Sequence, residues 1–337
     1  MTEITVSVVM PVYNEEKYIS ACVESLLTQD YLQDKMEWIF VDGGSDDKTK
    51  EILLDYQRKY PNLIRIFDNL HKTVPYAMNI GIAKSRGKYI VRLDAHAEYA
   101  TDYISKCVYY LDTTDADNVG GVAETKSRGK IGQTIALMLS SKFGVGNSQF
   151  RTNGASGYVD TVPFGAFRRE VFSKYGGYDE RLTRNQDNEM NFRIRKKGGK
   201  IYMSQDIKLA YYCRDTMSGI AKMARINGRW NVITMKLCPG SMGIRHFVPL
   251  ALVVSLLLLS IGSPFLTIAR WLLSSELLLY ISLDAVFSLK QANTAAEFFN
   301  LMYLFPLFHI SYGVGSVCGI VSLFSKEYNT KYSAPKI

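Results

Sequence analysis

Cysteine is scarce and unpatterned. The five in 337 residues, Cys22, Cys107, Cys213, Cys238 and Cys318, are odd in number and nowhere form a Cys-x-x-Cys pair. That scatter argues against a disulfide framework or a zinc site and points to a reducing compartment. The chain also lacks a Gly-x-Gly-x-x-Gly turn after its first strand-like run, where PVYNEE stands from Pro11 to Glu16. A dinucleotide-dependent oxidoreductase is a poor fit on that ground, although strand and helix alternation alone would allow one. The opening MTEITVSVVM has no basic start before an apolar segment, so no secretory signal is expected and the soluble part is placed in the cytoplasm.

Charged residues recur every few positions up to about residue 243 and thin out after it. Residues 247–269, FVPLALVVSLLLLSIGSPFLTIA, carry no charged side chain over a length that can cross a bilayer. A second apolar run, Trp271 to Phe287, has Glu276 near its middle, and a third, Phe298 to Phe324, contains Pro306, His309 and several glycines. An ionised group at mid-bilayer costs about 2.5–3.5 kcal/mol on insertion scales, so Glu276 faces other helices or its segment lies shallow. Three crossings would place Lys326, Lys331 and Lys336 outside, against the positive-inside tendency; two crossings plus a surface-lying segment keep them inside and are preferred. The expected organisation is a cytoplasmic domain over 1–243, a membrane-associated helical region of two or three segments over 244–325, and a basic tail over 326–337.

What is present is positive charge and alternating structure. A net charge of +8 suggests an anionic partner: nucleic acid, a phosphate-rich substrate or an acidic lipid surface. Up to Asp94, strand-like runs (TVSVVMPVY, MEWIFVD, LIRIF, KYIVRLD) alternate with helical patterns, the third helix being capped by Gly87. This order argues for an α/β fold with a mostly parallel sheet that binds its ligand beyond the carboxyl ends of the strands. Unusual polar residues collect at those ends: Asn14 and Glu15 after the first strand, Asp42, Gly43 and Gly44 after the second, Asp94 and His96 after the fourth. Asp46 and Asp47 have a plainer reading as turn and helix-cap residues. Asp94 and His96 do not, because both project to one side of a strand end and no helix starts before about Asp102.

Five segments in order, SVVMPVYNEEKYI, WIFVDGGSDDKT, NIGIAKSRGKYIVRLDAHAEY, VDTVPFGAFRREVF and RNQDNEMNFRIRKKGGKIY, resemble the inverting glycosyltransferases of family 2. The nearest likeness is to the membrane-attached, succinoglycan-type exopolysaccharide branch. The resemblance spans about residues 4–235 and implies a GT-A fold, a Rossmann-like, mostly parallel sheet. It implies that Asp42 binds the uracil or ribose of a UDP-sugar, with Pro11, Tyr13 and Glu15 as the other wall and Gly43 leaving room for the nucleoside. The family's Asp-x-Asp metal motif stands here as Asp94-Ala95-His96, a departure that adds an imidazole and moves preference from Mg²⁺ toward Mn²⁺ without excluding either. Asp187 aligns with the family's base; Glu189, two residues on, is the rival for that role, with a reading as a first-turn acid preferred. Arg193, Arg195, Lys196 and Lys197 read as a solvated basic face or a surface for anionic lipid.

Arg229 and Trp230 fall where many relatives carry Gln-x-x-Arg-Trp, but Ile226 replaces the glutamine, which argues against a processive polymerase. Arg225 or Arg229 would steady the diphosphate or belong to a basic helix on the membrane. The resemblance therefore implies transfer of a sugar from a UDP-sugar to a lipid-linked, undecaprenyl diphosphate-bound saccharide at the cytoplasmic face of the inner membrane, in contact with membrane lipid and with no nucleic-acid partner. Transfer to a polyprenyl phosphate and a non-catalytic membrane scaffold are the alternatives.

Overall fold

The computed structural model describes residues 3–127, 129–152 and 154–325; the expected basic tail lies outside the described residues. The chain divides into two compact units, Met1–Glu124 with Asn153–Tyr212, and Thr125–Thr152 with Cys213–Ile337.

The first unit opens with β1 (Val6–Val12), α1 (Ile19–Leu27), β2 (Met36–Asp42), α2 (Thr49–Lys59), β3 (Ile64–Asp68), α3 (Val74–Lys84) and β4 (Tyr89–Arg92). All seven residues of β2 are buried, as a strand covered on both faces requires. There follow β5 (Ala97–Tyr99), α4 (Tyr103–Thr113) and β6 (Asn118–Lys126). After α5 (Lys130–Leu139) and α6 (Lys142–Val145) of the second unit, the first resumes with β7 (Gly157–Tyr158), β8 (Ala166–Arg168), α7 (Glu170–Tyr175), α8 (Gln186–Lys196) and β9 (Ile201–Tyr212). The sheet order is β3-β2-β1-β4-β8-β6-β9-β5, with β7 also on β9. β3, β2, β1 and β4 pair in parallel, β8 joins β4 antiparallel, and β5 joins β9 antiparallel. The chain reverses its progression across the sheet at β1, so the crevice beyond the ends of β1 and β4 is the switch point at which open α/β sheets bind ligands.

The opposite ends of these strands are locked by one buried carboxylate. Glu37 is fully buried and accepts from Ser7 Oγ at 2.7 Å, Arg65 at 2.8 Å, Arg86 Nε at 2.9 Å and the Arg86 backbone at 2.6 Å. Burial pushes its pKa up, and these bonds more than offset that, holding the carboxyl below its ordinary value. Gly87, expected as a helix cap, has another reason to be glycine. α3 already ends at Ser85 in extended conformation, and a Cβ on Gly87 would lie 2.6 Å from the Ser7 nitrogen.

The second unit adds α9 (Met217–Leu237), α10 (Val248–Gly262), α11 (Thr267–Gln291) and α12 (Ala295–Leu323) to α5 and α6. Its core joins Ile135, Met138 and Leu139 of α5 to Ile220 and Ala224 of α9 and to Leu301, Leu304, Phe305 and Phe308 of α12. Small residues let the α9 and α12 backbones touch: side chains on Gly228, Gly315 or Gly319 would strike the Tyr312, Arg225 and Arg229 carbonyls respectively. Asn231 donates to the Tyr312 hydroxyl in the same contact. Segments 244–262, 267–291 and 295–322 are each long and apolar enough to cross a membrane. Glu276 does face a neighbouring helix, accepting from Ser255 Oγ of α10 at 2.5 Å. His309 of α12 bonds the Phe143 carbonyl through Nε2 and the Tyr280 hydroxyl through Nδ1, each at 2.9 Å. The carbonyl can only accept, so Nε2 carries the proton and Tyr280 donates.

Two outcomes are expected. Replacing Glu37 by Ala should cost about 2 kcal/mol, since Arg65 and Arg86 are partly exposed and need not stay buried without it. Because the folded pKa is depressed, the wild type should also lose stability as pH falls below about 4, with a shallower loss for Glu37→Gln in denaturant titrations. Gly315→Leu should lower stability in detergent by about 1–3 kcal/mol by forcing α9 and α12 apart, with Ala295→Leu on the exposed start of α12 as the neutral control.

Candidate active site

The loops after β1 and β2 are laced together, and this sets Glu15. Asn14, in the left-handed region at φ 56°, donates from Nδ2 to Asp46 at 2.7 Å and from its backbone to Ser45 Oγ at 3.0 Å. The Glu15 backbone donates to Thr49 Oγ1 at 2.7 Å, and the Glu16 backbone to Asp47 at 3.1 Å. Asp47 also accepts from the Thr49 backbone at 2.9 Å just before α2, but the N-cap itself is Lys48 and no side chain caps the helix, so the cap role expected for Asp47 is corrected to a turn contact. After β4 the chain makes a short turn into β5, in which the Asp94 amide donates to the Tyr99 hydroxyl at 2.7 Å.

These two supports bring Glu15, Asp94 and His96 together, with one potential ligand atom from each inside 4.8 Å of the others. His96 Nδ1 lies 3.0 Å from Asp94 and 3.3 Å from Glu15. Two carboxylate oxygens crowding one ring nitrogen at partial burial repel each other unless a cation sits between them. Two hard oxygens with one imidazole suit a first-row divalent ion such as Mn²⁺. Cys22 is buried beside them but is not part of the cluster, its thiol lying 3.7 Å from the Met10 sulfur and 4.0 Å from the Asp94 carbonyl; burial, then Asp94 and Glu15, push its pKa up to about 12.

The cluster borders a cleft of about 130 Å³ that Pro11, Tyr13, Gly43, Asn69, Lys72, Thr73 and Arg92 also line. A side chain on Gly43 would lie 3.3 Å from the Tyr13 ring, so glycine keeps the cleft open there. Asp42 is set behind the cleft: it is fully buried and its carboxylate accepts from Ser45 Oγ at 2.6 Å.

Asp187 occupies the first turn of α8, after Asn185 turns the backbone through φ 62°. Its carboxylate pairs with Arg92, which is only 4% exposed. Burial alone would lower the Arg92 pKa; Asp187, Tyr178 and Asp94, in that order, hold it above its ordinary value. Glu189 is engaged elsewhere, chelated by Arg193 through two bonds of 2.8 Å. Arg193 also donates to the Tyr175 and Gly177 carbonyls, so it is a structural clamp and not part of a solvated face.

Pro11, Tyr13, Glu15, Gly43, Asp94 and His96 thus line one cleft, and Asp187 is tied to it through Arg92. Arg229 and Trp230 belong to α9 of the second unit, where Arg229 is exposed and Trp230 half-buried. Sequence reasoning missed Arg92, Asn69, Lys72 and the place of Glu15 beside Asp94. The available signal for Arg92 was a charged residue inside an otherwise apolar strand, two positions before Asp94.

A mixed sheet with this crevice is the GT-A architecture. The mannosyltransferase PcManGT from Pyrobaculum calidifontis, solved with GDP-Man and Mn²⁺, matches with a TM-score of 0.65 at 18% identity, covering 95% of this chain and 88% of that one. S. aureus TarS 1–349 in complex with UDP-GlcNAc matches at 0.51 and 14% identity, covering 95% and 92%. The sequence model of glycosyl transferase family 2 matches residues 7–176, half of the chain, which therefore belongs to that family. It is 28% identical over 253 residues to the succinoglycan biosynthesis protein ExoA of Rhizobium meliloti (strain 1021), covering 74% of this chain and 76% of that one. Over 224 residues it is 27% identical to the dolichyl N-acetyl-α-D-glucosaminyl phosphate 3-β-D-2,3-diacetamido-2,3-dideoxy-β-D-glucuronosyltransferase of Methanococcus voltae, covering 64% and 70%.

Binding of Mn²⁺, followed by its paramagnetic resonance signal, should weaken about tenfold or more in Glu15→Gln, Asp94→Ala and His96→Ala. Cys22→Ala should bind as the wild type does.

Proposed function

We propose that this chain is a metal-dependent, inverting hexosyltransferase that moves a sugar from a UDP-sugar to a lipid-linked saccharide, an undecaprenyl diphosphate derivative, in exopolysaccharide, capsule or O-antigen assembly. The observation that carries the reading is the convergence on one cleft of an acid–imidazole cluster and, through Arg92, a separate carboxylate on a helix N-terminus. The roles of the relatives, succinoglycan biosynthesis and transfer onto a dolichyl-linked sugar phosphate, support the acceptor class. One structural neighbour holds UDP-GlcNAc and another GDP-Man with Mn²⁺, which supports a nucleotide-sugar donor and a divalent ion.

In this reading Pro11, Tyr13, Gly43, Asn69 and Lys72 enclose the nucleoside, and Asp42 acts from behind by fixing the Ser45 turn. Glu15, Asp94 and His96 would hold the divalent ion, which offsets negative charge on the departing diphosphate. Asp187 accepts the proton of the acceptor hydroxyl while that oxygen bonds to the anomeric carbon and the carbon–phosphate oxygen bond breaks, releasing UDP. One base and no nucleophile give a single displacement, hence inversion at that carbon.

The second unit supports placement at the cytoplasmic face of the inner membrane. Lys222, Arg225, Arg229 and Lys236 recur on one exposed face of α9, and α12 packs beside that face, with Gly315 and Gly319 against the Arg225 and Arg229 backbones. Were α12 to cross the bilayer at this contact, each of those charges would cost about 2.5–3.5 kcal/mol at mid-depth. A surface-lying α9–α12 pair avoids that cost and gives anionic headgroups a cationic stripe, leaving α10 and α11 as the two crossings.

The test is UDP release by full-length protein in detergent with Mn²⁺, UDP-glucose, UDP-galactose or UDP-N-acetylglucosamine, and lipid-linked saccharide extracted from source membranes. Asp187→Asn should bind donor normally yet lose about 10²–10⁴-fold in kcat. Full turnover by that variant would remove Asp187 from the mechanism, and absence of donor binding by the wild type would favour a scaffold.

A further inference from the structure

Arg92 is the last residue of β4, in register with Val9 of the central β1, and its amide donates to the Gly165 carbonyl at 3.0 Å. It therefore starts from the interior of the sheet, where an arginine is costly unless its charge is matched. The match comes from three directions: an ion pair to Asp187, the Phe164 ring 5.7 Å from the guanidinium carbon, and the nearby Asp94 carboxylate. The match is incomplete, because Arg92 Nε is buried with no hydrogen-bond partner among the described residues. An interior position chosen for stability would hold an aliphatic side chain there, as Val91 and Leu93 do on either side.

The pairing is one-sided. Asp187 Oδ1 is taken by Arg92, and Oδ2 accepts no hydrogen bond among the described residues. A carboxylate on the first turn of a helix otherwise has free side-chain torsions; holding one oxygen aims the other. Asp94 follows the end of β4 by two residues, and it and Arg92 line the same cleft. The end of one strand thereby sets the separation between the metal-binding cluster and Asp187.

We propose that Arg92 is a positioning residue: it holds one oxygen of Asp187 so that the other meets the acceptor hydroxyl, and it couples that placement to the strand that carries Asp94. The inference rests on the reading of Asp187 as the base. It is the same logic by which a buried partner orients the base in other hydroxyl-activating sites.

The experiment compares wild type, Arg92→Met, Arg92→Lys, Asp187→Asn and Arg92→Met/Asp187→Asn as full-length proteins. It uses the UDP-release assay above with Mn²⁺ and measures kcat, donor KM and thermal unfolding. A misplaced base predicts about 10²-fold lower kcat for Arg92→Met with little change in donor KM, partial recovery in Arg92→Lys, and no further loss when Arg92→Met is added to Asp187→Asn. A multiplicative loss in the double variant, or a rise in KM equal to the fall in kcat/KM, would show a structural or donor-binding role and overturn the proposal. Wild-type kcat in Arg92→Met would do the same while leaving Asp187 intact as the base. If Asp187→Asn alone turns over normally, the base assignment itself has failed. Should Arg92→Met not fold, Arg92→Lys decides: about tenfold lower kcat at an unchanged melting temperature supports the positioning role, and unchanged kcat rejects it.

Discussion

The site depends on parallel pairing of β1 with both β2 and β4. That pairing ends two strands at a common edge, Val12 opposite Asp42, while Val9 opposite Arg92 fixes how far the β4 end stands back from it. Glu15, Gly43 and Asp94 then follow within three residues of their strands, too soon to wander. The far ends are held by the Ser7–Glu37–Arg86 network, in which one buried acid ties β1, β2 and the turn before β4. A slip of one residue in either pairing would reverse every side chain at the crevice, so register is itself a catalytic requirement.

Charge within the cleft follows from burial. Glu15, Asp94 and Asp187 face one buried guanidinium and one imidazole, and a sugar diphosphate would bring more negative charge. Such a collection in a partly dry crevice calls for a divalent ion at one end and an arginine at the other. In the proposed reaction the two cations would divide the labour, the ion balancing the leaving group and Arg92 staying with the attacking side.

The second unit is held by two means. Between α9 and α12 an apolar core of Ile220, Ala224, Leu301, Leu304, Phe305 and Phe308 is joined by close backbone approach at glycine. The polar groups on its apolar helices are paired, Glu276 with Ser255, His309 with Tyr280 and Phe143, Asp284 with Ser288. Pairing inside the protein is what makes such residues tolerable near hydrocarbon.

Much of this was legible in one dimension, because it depends on local order. Alternating runs dictate a βα sheet, strand-end acids mark its binding edge, and the uncharged stretch at 247–269 marks a segment long and apolar enough to cross a membrane. Motif order was enough to point to family 2, and the position of Glu189 was readable as that of a helix-start acid. Gly87 was misread as a cap, since a glycine demanded by a strand crossing beside it looks no different from one demanded by a left-handed turn. The partners of each charge were not legible: Arg92 and Asp187 lie 95 residues apart, and only the antiparallel return of β8 and the placement of α8 bring them into contact. The sequence by itself determined which residue types stand at the strand ends, because propensity and periodicity act over a few neighbours. Only the tertiary structure decided that Glu15 joins Asp94 and His96, that Asp42 turns away to Ser45, and that a buried arginine holds Asp187, because those are pairings across space and no local rule specifies them.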